Sequence, residues 1–435
     1  MRASLHTLGC RLNQADSARL ASDLQAHGFE LVSWGEPAEL LVINSCAVTG
    51  VAAQKTRQLL ANARKRNPEA FIIVCGCAAT DPELTNSPAA NAADLLLPNP
   101  KPNSLMPFLP EELRHSQNIP PRGLDAQVSS LPEGFTLPGT GVFPERTRAN
   151  LKLQDGCNFR CTYCIVPQMR GSARSRDLDD ILRETRELLD HGFREIVLTG
   201  VNIAYYQNSG HDLGDLVAKL LRLPGDFRVR LGSTEPGPVL DKLIGVMKEE
   251  PKLCRFLHLP LQNGDQEILR KMARRYTTTQ YAETVHRAAA EIPGICLGND
   301  VMVGFPGEDD AAFQRCYDFL DSLPLGLMHV FCYSPRPGTP AATWPGRPAP
   351  AIAHEREARL LELAKAKTRA FAETQLGKTV QVLMETGNPP NHGWSDNYLK
   401  VVLPPDLKVD VNTFHSCNLR EILPGEDRAV TGAIV

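Results

Sequence analysis

Three thiols stand together in Cys157-Asn-Phe-Arg-Cys161-Thr-Tyr163-Cys164. Thiolates at C-x3-C-x2-C spacing match three irons of a [4Fe–4S] cluster and leave the fourth iron without a protein ligand, open to a small molecule. Zinc is the other reading. It would want a fourth Cys or His nearby, and the nearest histidine, His191, lies well downstream. Cys10, Cys46 and Cys77 form a second set, each closing an apolar run that reads as a strand: LHTLGC, LLVINSC and IIVCGC. Neighbouring parallel strands end along one edge, so three such cysteines can converge although they are far apart in sequence. On spacing alone, plain buried thiols remain the alternative, and Cys75 competes with Cys77 for the third place. Cys254, Cys296, Cys316, Cys332 and Cys417 lie in apolar contexts and read as core.

The chain that must position these thiols has 435 residues, enough for roughly three domains at about 100–200 residues each. Before Pro98, short apolar strands alternate with helical stretches at Ser17 to His27 and Val51 to Arg66, which makes residues 1–97 a small α/β parallel-sheet domain. Ten of the 34 prolines fall between Pro98 and Pro144, so residues 98–144 read as an extended connector and a hinge between the two cysteine sets. From 145 to 375 the segments NLKLQ, EIVLTG, RVRLGS, FLHLPL, LGNDVMVG and LMHVFCY are each followed by a helical period. Six such units with right-handed crossovers predict an open (β/α)6 partial barrel, closed off by a long charged helix from about Ile352 to Gln375. The cysteine triplet then sits at the rim after the first strand, where folds of this kind place their sites. Residues 376–435 read as a small β-barrel.

Composition excludes other classes. Hydrophobic residues are 42% of the chain and no apolar run is long enough for a bilayer span, so no membrane partner is expected. The first residues, MRASLHTLGCRLNQ, carry His6, Cys10 and Arg11 where a secretory signal would be apolar, which places the protein in the cytosol. There, 12 cysteines point to metal or redox chemistry rather than to disulfides. A net charge of −3 gives no global attraction to nucleic acid, so any such binding must use local patches.

The triplet, with Tyr163 before its last cysteine, resembles the signature of the radical S-adenosylmethionine (SAM) enzymes. The resemblance implies that the open iron chelates SAM and that the reduced cluster cleaves it to methionine and a 5′-deoxyadenosyl radical. Four barrel segments are similar to that family's cofactor contacts: Thr199-Gly-Val-Asn202, Gly232-Ser233-Thr-Glu235-Pro, His258-Leu-Pro-Leu-Gln262 and Asp300-Val-Met-Val-Gly304. Cofactor contacts are thereby expected at Tyr163, Thr199, Asn202, Ser233, Glu235 and Gln262. Around the other set, Gly9-Cys10-Arg-Leu-Asn13-Gln-Ala-Asp16-Ser17, Asn44-Ser-Cys46 and Gly76-Cys77-Ala resemble the methylthiotransferase branch. That branch holds an auxiliary [4Fe–4S] cluster on three cysteines, which assigns the ligand to Cys77 rather than Cys75. Thr80 departs from the family's usual glutamine three residues later. The last domain then corresponds to a TRAM-like barrel.

The implied reaction uses SAM twice, as methyl donor to sulfur held at the auxiliary cluster and as radical source for hydrogen abstraction, with electrons from a flavodoxin- or ferredoxin-like donor. No side-chain base is required, so no catalytic residue beyond the cluster ligands is expected. CNFRCTYCIVPQMRG and GWSDNYLKVV resemble the branch acting on N6-threonylcarbamoyladenosine at position 37 of tRNA. Its alternatives are isopentenyladenosine in tRNA and an aspartate of a ribosomal protein; a non-catalytic RNA-binding iron–sulfur protein is the more distant reading. An unpaired anticodon loop presents its base at little unstacking cost. Lys55, Arg57, Arg64, Arg170, Arg174, Arg274 and Arg275 are the cations expected to meet its phosphates, although charged helix faces are usually just solvated. Residues 376–435 carry more acidic than basic side chains, which favours contacts by Trp394 and Tyr398, or a structural role, over a phosphate grip.

Overall fold

In a computed structural model of the chain, the described residues are 1–99, 104–114, 135–137, 140–141 and 147–435. Strands Glu30–Leu31, Arg2–Thr7, Leu40–Ser45, Phe71–Gly76 and Leu95–Leu97 lie side by side in that order, all parallel. Period-two alternation divides their side chains between two apolar clusters. Leu41, Ile43, Ile72 and Val74 face one side, and Leu40, Val42, Ile73 and Cys75 face the other. The first helix, Arg11–Ala26, begins six residues before the predicted start, because Leu12, Ala15 and Ala18 already bury a face; Cys10 stands at its N-cap position without a side-chain capping bond. The second, Gly50–Arg66, is capped by the Thr49 side chain, which accepts from the Ala52 N–H at 3.2 Å.

The proline-rich stretch was expected outside any core, and its first described part corrects this. Leu105, Met106 and Leu109 are buried in the second of those clusters, filling apolar space beside Leu95 and Leu97. Phe135 pairs with Arg176 across the barrel edge. Most of the expected hinge lies outside the described residues.

Arg148–Lys152, Glu195–Thr199 and Arg228–Leu231 form one parallel trio, and Phe256–His258, Cys296–Val303 and Leu327–Cys332 form a second. Bridges from Val229 to Leu253 and from Ser233 to His258 join them into the six-stranded open barrel that the sequence predicts. Helix Pro350–Gln375 packs Leu360 and Leu363 into the barrel core and Ala372 into the last domain's core. That domain is a closed five-stranded barrel of Thr379–Glu385, His392–Ser395, Lys400–Val402, Ala429–Ile434 and Phe414–Ile422.

Candidate active site

The loop carrying Cys157, Cys161 and Cys164 is pinned from outside. The Thr162 hydroxyl donates to the Lys271 carbonyl at 2.8 Å, and the Ala341 N–H donates to the Thr162 carbonyl at 2.9 Å. Burial pushes the Cys164 thiol up to about 12 and raises Cys157 as well. Tyr163, Asn202, Ser233, Thr234, Glu235 and Arg274 line a cavity of ≈ 140 Å³ beside the three thiols. Arg274 holds it together: its Nη2 donates to Glu235 at 2.7 Å, and its Nη1 lies 3.6 Å from Cys161 Sγ and 3.4 Å from the Tyr163 hydroxyl. Asn202 Oδ1 and Thr234 Oγ1 are buried there without a hydrogen-bond partner. Buried polar groups ordinarily find partners, so these atoms suit a polar ligand on a cluster's open iron, and three thiols suit the cluster itself. Of the expected cofactor contacts, Tyr163, Asn202, Ser233 and Glu235 gather at this cavity. Thr199 lines a neighbouring, larger one, and Gln262, held at φ 76°, lines neither, with its Oε1 unpartnered at the next strand end.

Cys10, Cys46 and Cys77 converge at the edge of the N-terminal sheet. Burial, then the charges of Cys77 and Cys10, push the Cys46 thiol up to about 11, and the latter two also act on Arg170. Close backbone approach makes this possible. A Cβ on Gly9, at φ 105°, would lie 2.8 Å from Cys46 Cβ, and one on Gly76, at φ 94°, would lie 2.7 Å from the Ser45 carbonyl oxygen. Cys75 stands apart, in the cluster on the opposite sheet face. Thr80, the departure from the family pattern, donates to the Cys77 carbonyl at 3.3 Å.

A buried charge network joins the two triads. Lys152 meets Asp16 at 2.9 Å and Asp155 at 2.7 Å, and Arg170 meets Asp155 at 3.0 Å and reaches Asn13. Asn13 in turn donates to the carbonyls of Leu8 and Ser45, just ahead of Cys10 and Cys46. Burial alone would raise the Asp155 carboxyl, but Lys152 and Arg170 hold it far below the ordinary carboxylate range. Between the domains lies a cavity of ≈ 520 Å³ whose wall includes Cys10, Arg11, Ser233, His258, Tyr398 and Arg428. Ser233 belongs to both cavities. On the wall of the larger one, Asp300 sits 3.2 Å from His258 and 3.1 Å from His329; burial raises its carboxyl, and these two imidazoles outweigh that and lower it.

The expected phosphate contacts need correction. Side chains of Arg170, Arg174 and Arg274 are 3%, 10% and 6% exposed, turned toward Asp155 in the first two cases and Glu235 in the third. Arg64 spends its donors on Asp94 and on the carbonyls of Pro68, Ala70 and Ala92, and Arg57 pairs with Glu83 at 3.3 Å. Lys55 is exposed, and Arg275, also exposed, stacks over Phe159 beside the barrel triad. Sequence reasoning set Arg274 against phosphate rather than at the smaller cavity, quoted His258 and Asp300 only within cofactor-like segments, and missed Arg11, Arg428 and His329 as walls of the larger cavity. The basic residues Arg270, Lys271, Arg274 and Arg275 gave no sign of which member turns inward.

Residues 151–320 match the Radical SAM superfamily, and residues 2–97 match the uncharacterized protein family UPF0004. Over 92% of its length the chain is 32% identical to the threonylcarbamoyladenosine tRNA methylthiotransferase MtaB of Bacillus subtilis, covering 89% of that protein. The chain belongs to the radical SAM methylthiotransferase family. Its radical SAM domain is accordingly one that binds SAM and a [4Fe–4S] cluster. Another MtaB, from Thermotoga maritima, is 34% identical over 88% of the chain and 86% of that protein. The tRNA-2-methylthio-N(6)-dimethylallyladenosine synthase of Dehalococcoides mccartyi is 35% identical at the same coverages. Among solved structures, the radical SAM methyltransferase TsrM of Kitasatospora setae shares the fold, with a TM-score of 0.51 at 15% identity over 78% of this methylthiotransferase and 77% of TsrM. No helix among the described residues is long and apolar enough to cross a membrane.

Proposed function

We propose that this chain places a methylthio group on C2 of N6-threonylcarbamoyladenosine at position 37 of tRNA, in the cytoplasm. One observation carries the reading: Cys10 of one triad lines the same cavity as Ser233, which also borders the small cavity at the other triad. A base inserted there from an unpaired anticodon loop meets both centres at once. The relatives named MtaB support the threonylcarbamoyl substrate. So does the cavity wall, where arginine, histidine and tyrosine suit a polar adduct better than a hydrocarbon one.

Cys157, Cys161 and Cys164 hold the barrel cluster, with Tyr163, Asn202, Ser233 and Glu235 around its SAM, and Cys10, Cys46 and Cys77 hold a second [4Fe–4S] cluster. When bound, these groups supply the one-electron cleavage of SAM, the methyl donor and the sulfur site. The protein's own part is positional. Arg274 fixes Glu235 and the Tyr163 hydroxyl against the thiol loop, and the Lys152–Asp155–Arg170–Asp16 network fixes the N-terminal triad relative to the barrel. No side chain has to act as a base. Electrons come from a flavodoxin- or ferredoxin-like protein. Nucleoside mass spectrometry of tRNA from strains with and without the protein tests the reading. The expected result is loss of 2-methylthio-N6-threonylcarbamoyladenosine in the strain lacking it. Loss of the dimethylallyl analogue instead, or unchanged tRNA with loss of methylthio-aspartate in a ribosomal protein, assigns the substrate elsewhere. Absence of 5′-deoxyadenosine when the reconstituted protein meets SAM and dithionite would point to a non-catalytic role.

A further inference from the structure

Tyr398 stands in a tight turn of the last domain, at φ 68°, with four guanidinium groups around it. Two of them are neutralised: Arg148 by Glu385 and Arg230 by Glu195, each at 2.6 Å. The other two are Arg11 and Arg428. Arg11 donates to the Tyr398 hydroxyl at 2.9 Å, and Arg428 lies 4.9 Å above the ring centroids of both Tyr398 and Trp394. Neither has a carboxylate partner among the described residues, and both line the ≈ 520 Å³ cavity. Asp300, the one carboxylate on that wall, is engaged by His258 and His329. Two half-buried cations without counter-charge, set around one phenol and facing a cavity, make a receptor for an anion.

We propose that Arg428 and Arg11 form a carboxylate-binding subsite that reads the threonyl carboxylate of the substrate adenosine, with Tyr398 holding the two guanidinium groups in place. This rests on the function proposed above and assigns its specificity to residues from the two ends of the chain. The other anion an RNA offers is a phosphate, which every tRNA carries. A subsite for phosphate would make no distinction among modified bases, whereas one for the carboxylate distinguishes threonylcarbamoyl from dimethylallyl.

The test is equilibrium binding of anticodon stem-loop RNAs to the reconstituted enzyme without reductant. The RNAs carry N6-threonylcarbamoyladenosine, its methyl ester, N6-dimethylallyladenosine or plain adenosine at position 37. Wild type should bind the free acid about 10–100-fold more tightly than the ester, the range of a charge-assisted pair. Arg428→Gln and Arg11→Gln should each shrink that gap with little effect on plain adenosine, and Arg428→Lys should restore part of it. Equal binding of acid and ester by wild type overturns the subsite without using any variant. So does an equal loss on all four RNAs in Arg428→Gln, which would mark a phosphate contact. If wild type prefers the dimethylallyl loop and methylthiolates it, the function reading fails and the subsite with it. If wild type methylthiolates acid and ester alike, only the subsite fails.

Discussion

Glu195 is fully buried between Arg228 and Arg230, accepting hydrogen bonds from both at 2.6 Å. Burial pushes its carboxyl up, but the two arginines outweigh that and hold it well below the ordinary carboxylate range. A group lowered in this way stabilises the fold fully above its unfolded value of about 4.3 and loses that contribution as pH falls below it. Asp155 and Asp300 act in the same direction. Thermal midpoints should therefore be flat at neutral pH and fall steeply below about pH 4. Glu195→Gln should flatten part of that fall while destabilising the protein by about 3–5 kcal/mol at pH 7, because two buried cations are left without their anion. Calorimetry across pH reads both effects. A second test separates Cys75 from Cys77. Cys75→Ala should retain the full iron content after reconstitution, and Cys77→Ala should lose one cluster's worth, as counted by iron analysis and Mössbauer spectroscopy. The barrel triad was legible in its spacing, while strand-end placement only allowed the second to converge and the resemblance of its flanking residues to the methylthiotransferase branch singled it out. The fates of single arginines were not legible. Arg274 and Arg275 are adjacent and alike, yet Arg274 turns inward to Glu235 and the Pro260 carbonyl while Arg275 stays exposed. Only tertiary placement distinguishes them.

At the scale of elements, the N-terminal triad depends on how tightly three strand ends pack. Gly9 tolerates no side chain, since a Cβ would run into Cys46 at a backbone conformation already unfavourable to L residues. Gly9→Ala should abolish the second cluster and methylthio transfer while SAM cleavage to 5′-deoxyadenosine persists at the barrel triad. Iron counts paired with that product assay check it. The strands themselves were readable from short apolar segments, continuous in Glu195–Thr199 and alternating with polar or charged residues in Arg148–Lys152 and Arg228–Leu231, and all six barrel strands fall where those segments lie. The start of helix Arg11–Ala26 was not readable. Its first turn is stabilised by Asn13 reaching the Leu8 and Ser45 carbonyls, a long-range contact with no local signal. Leu105 and Met106 mislead for a related reason: high proline content describes chain stiffness and says nothing of an apolar cluster waiting nearby.

At the scale of the molecule, the domains are bolted together by buried charges. Arg336, beyond the last barrel strand, meets Asp81 of the N-terminal domain at 2.8 Å with both side chains 1% exposed, and also meets Glu83 at 3.1 Å. Asp81→Asn should loosen that junction by about 3–5 kcal/mol, seen in calorimetry as a lower thermal midpoint. For RNA binding, Lys55, Lys65 and Arg66 on helix Gly50–Arg66 are exposed and have no acidic partner among the described residues. Replacing all three by glutamine should reduce the slope of log affinity against log salt by about 2, at roughly 0.7 per single-strand phosphate contact. The last domain is docked differently. Arg228 donates to the carbonyls of Gln381 and Trp394, and Arg230 to those of Ser395 and Asp396. Gripping peptide oxygens makes that part of the dock indifferent to side chains, while Asp396 and Glu385 add side-chain pairs to Arg255 and Arg148, each at 2.6 Å. Trp394, held there by its carbonyl, is a position where the loop can change side chain without coming loose, so mutation beside the cavity can retune its surroundings while the architecture that presents it stays put.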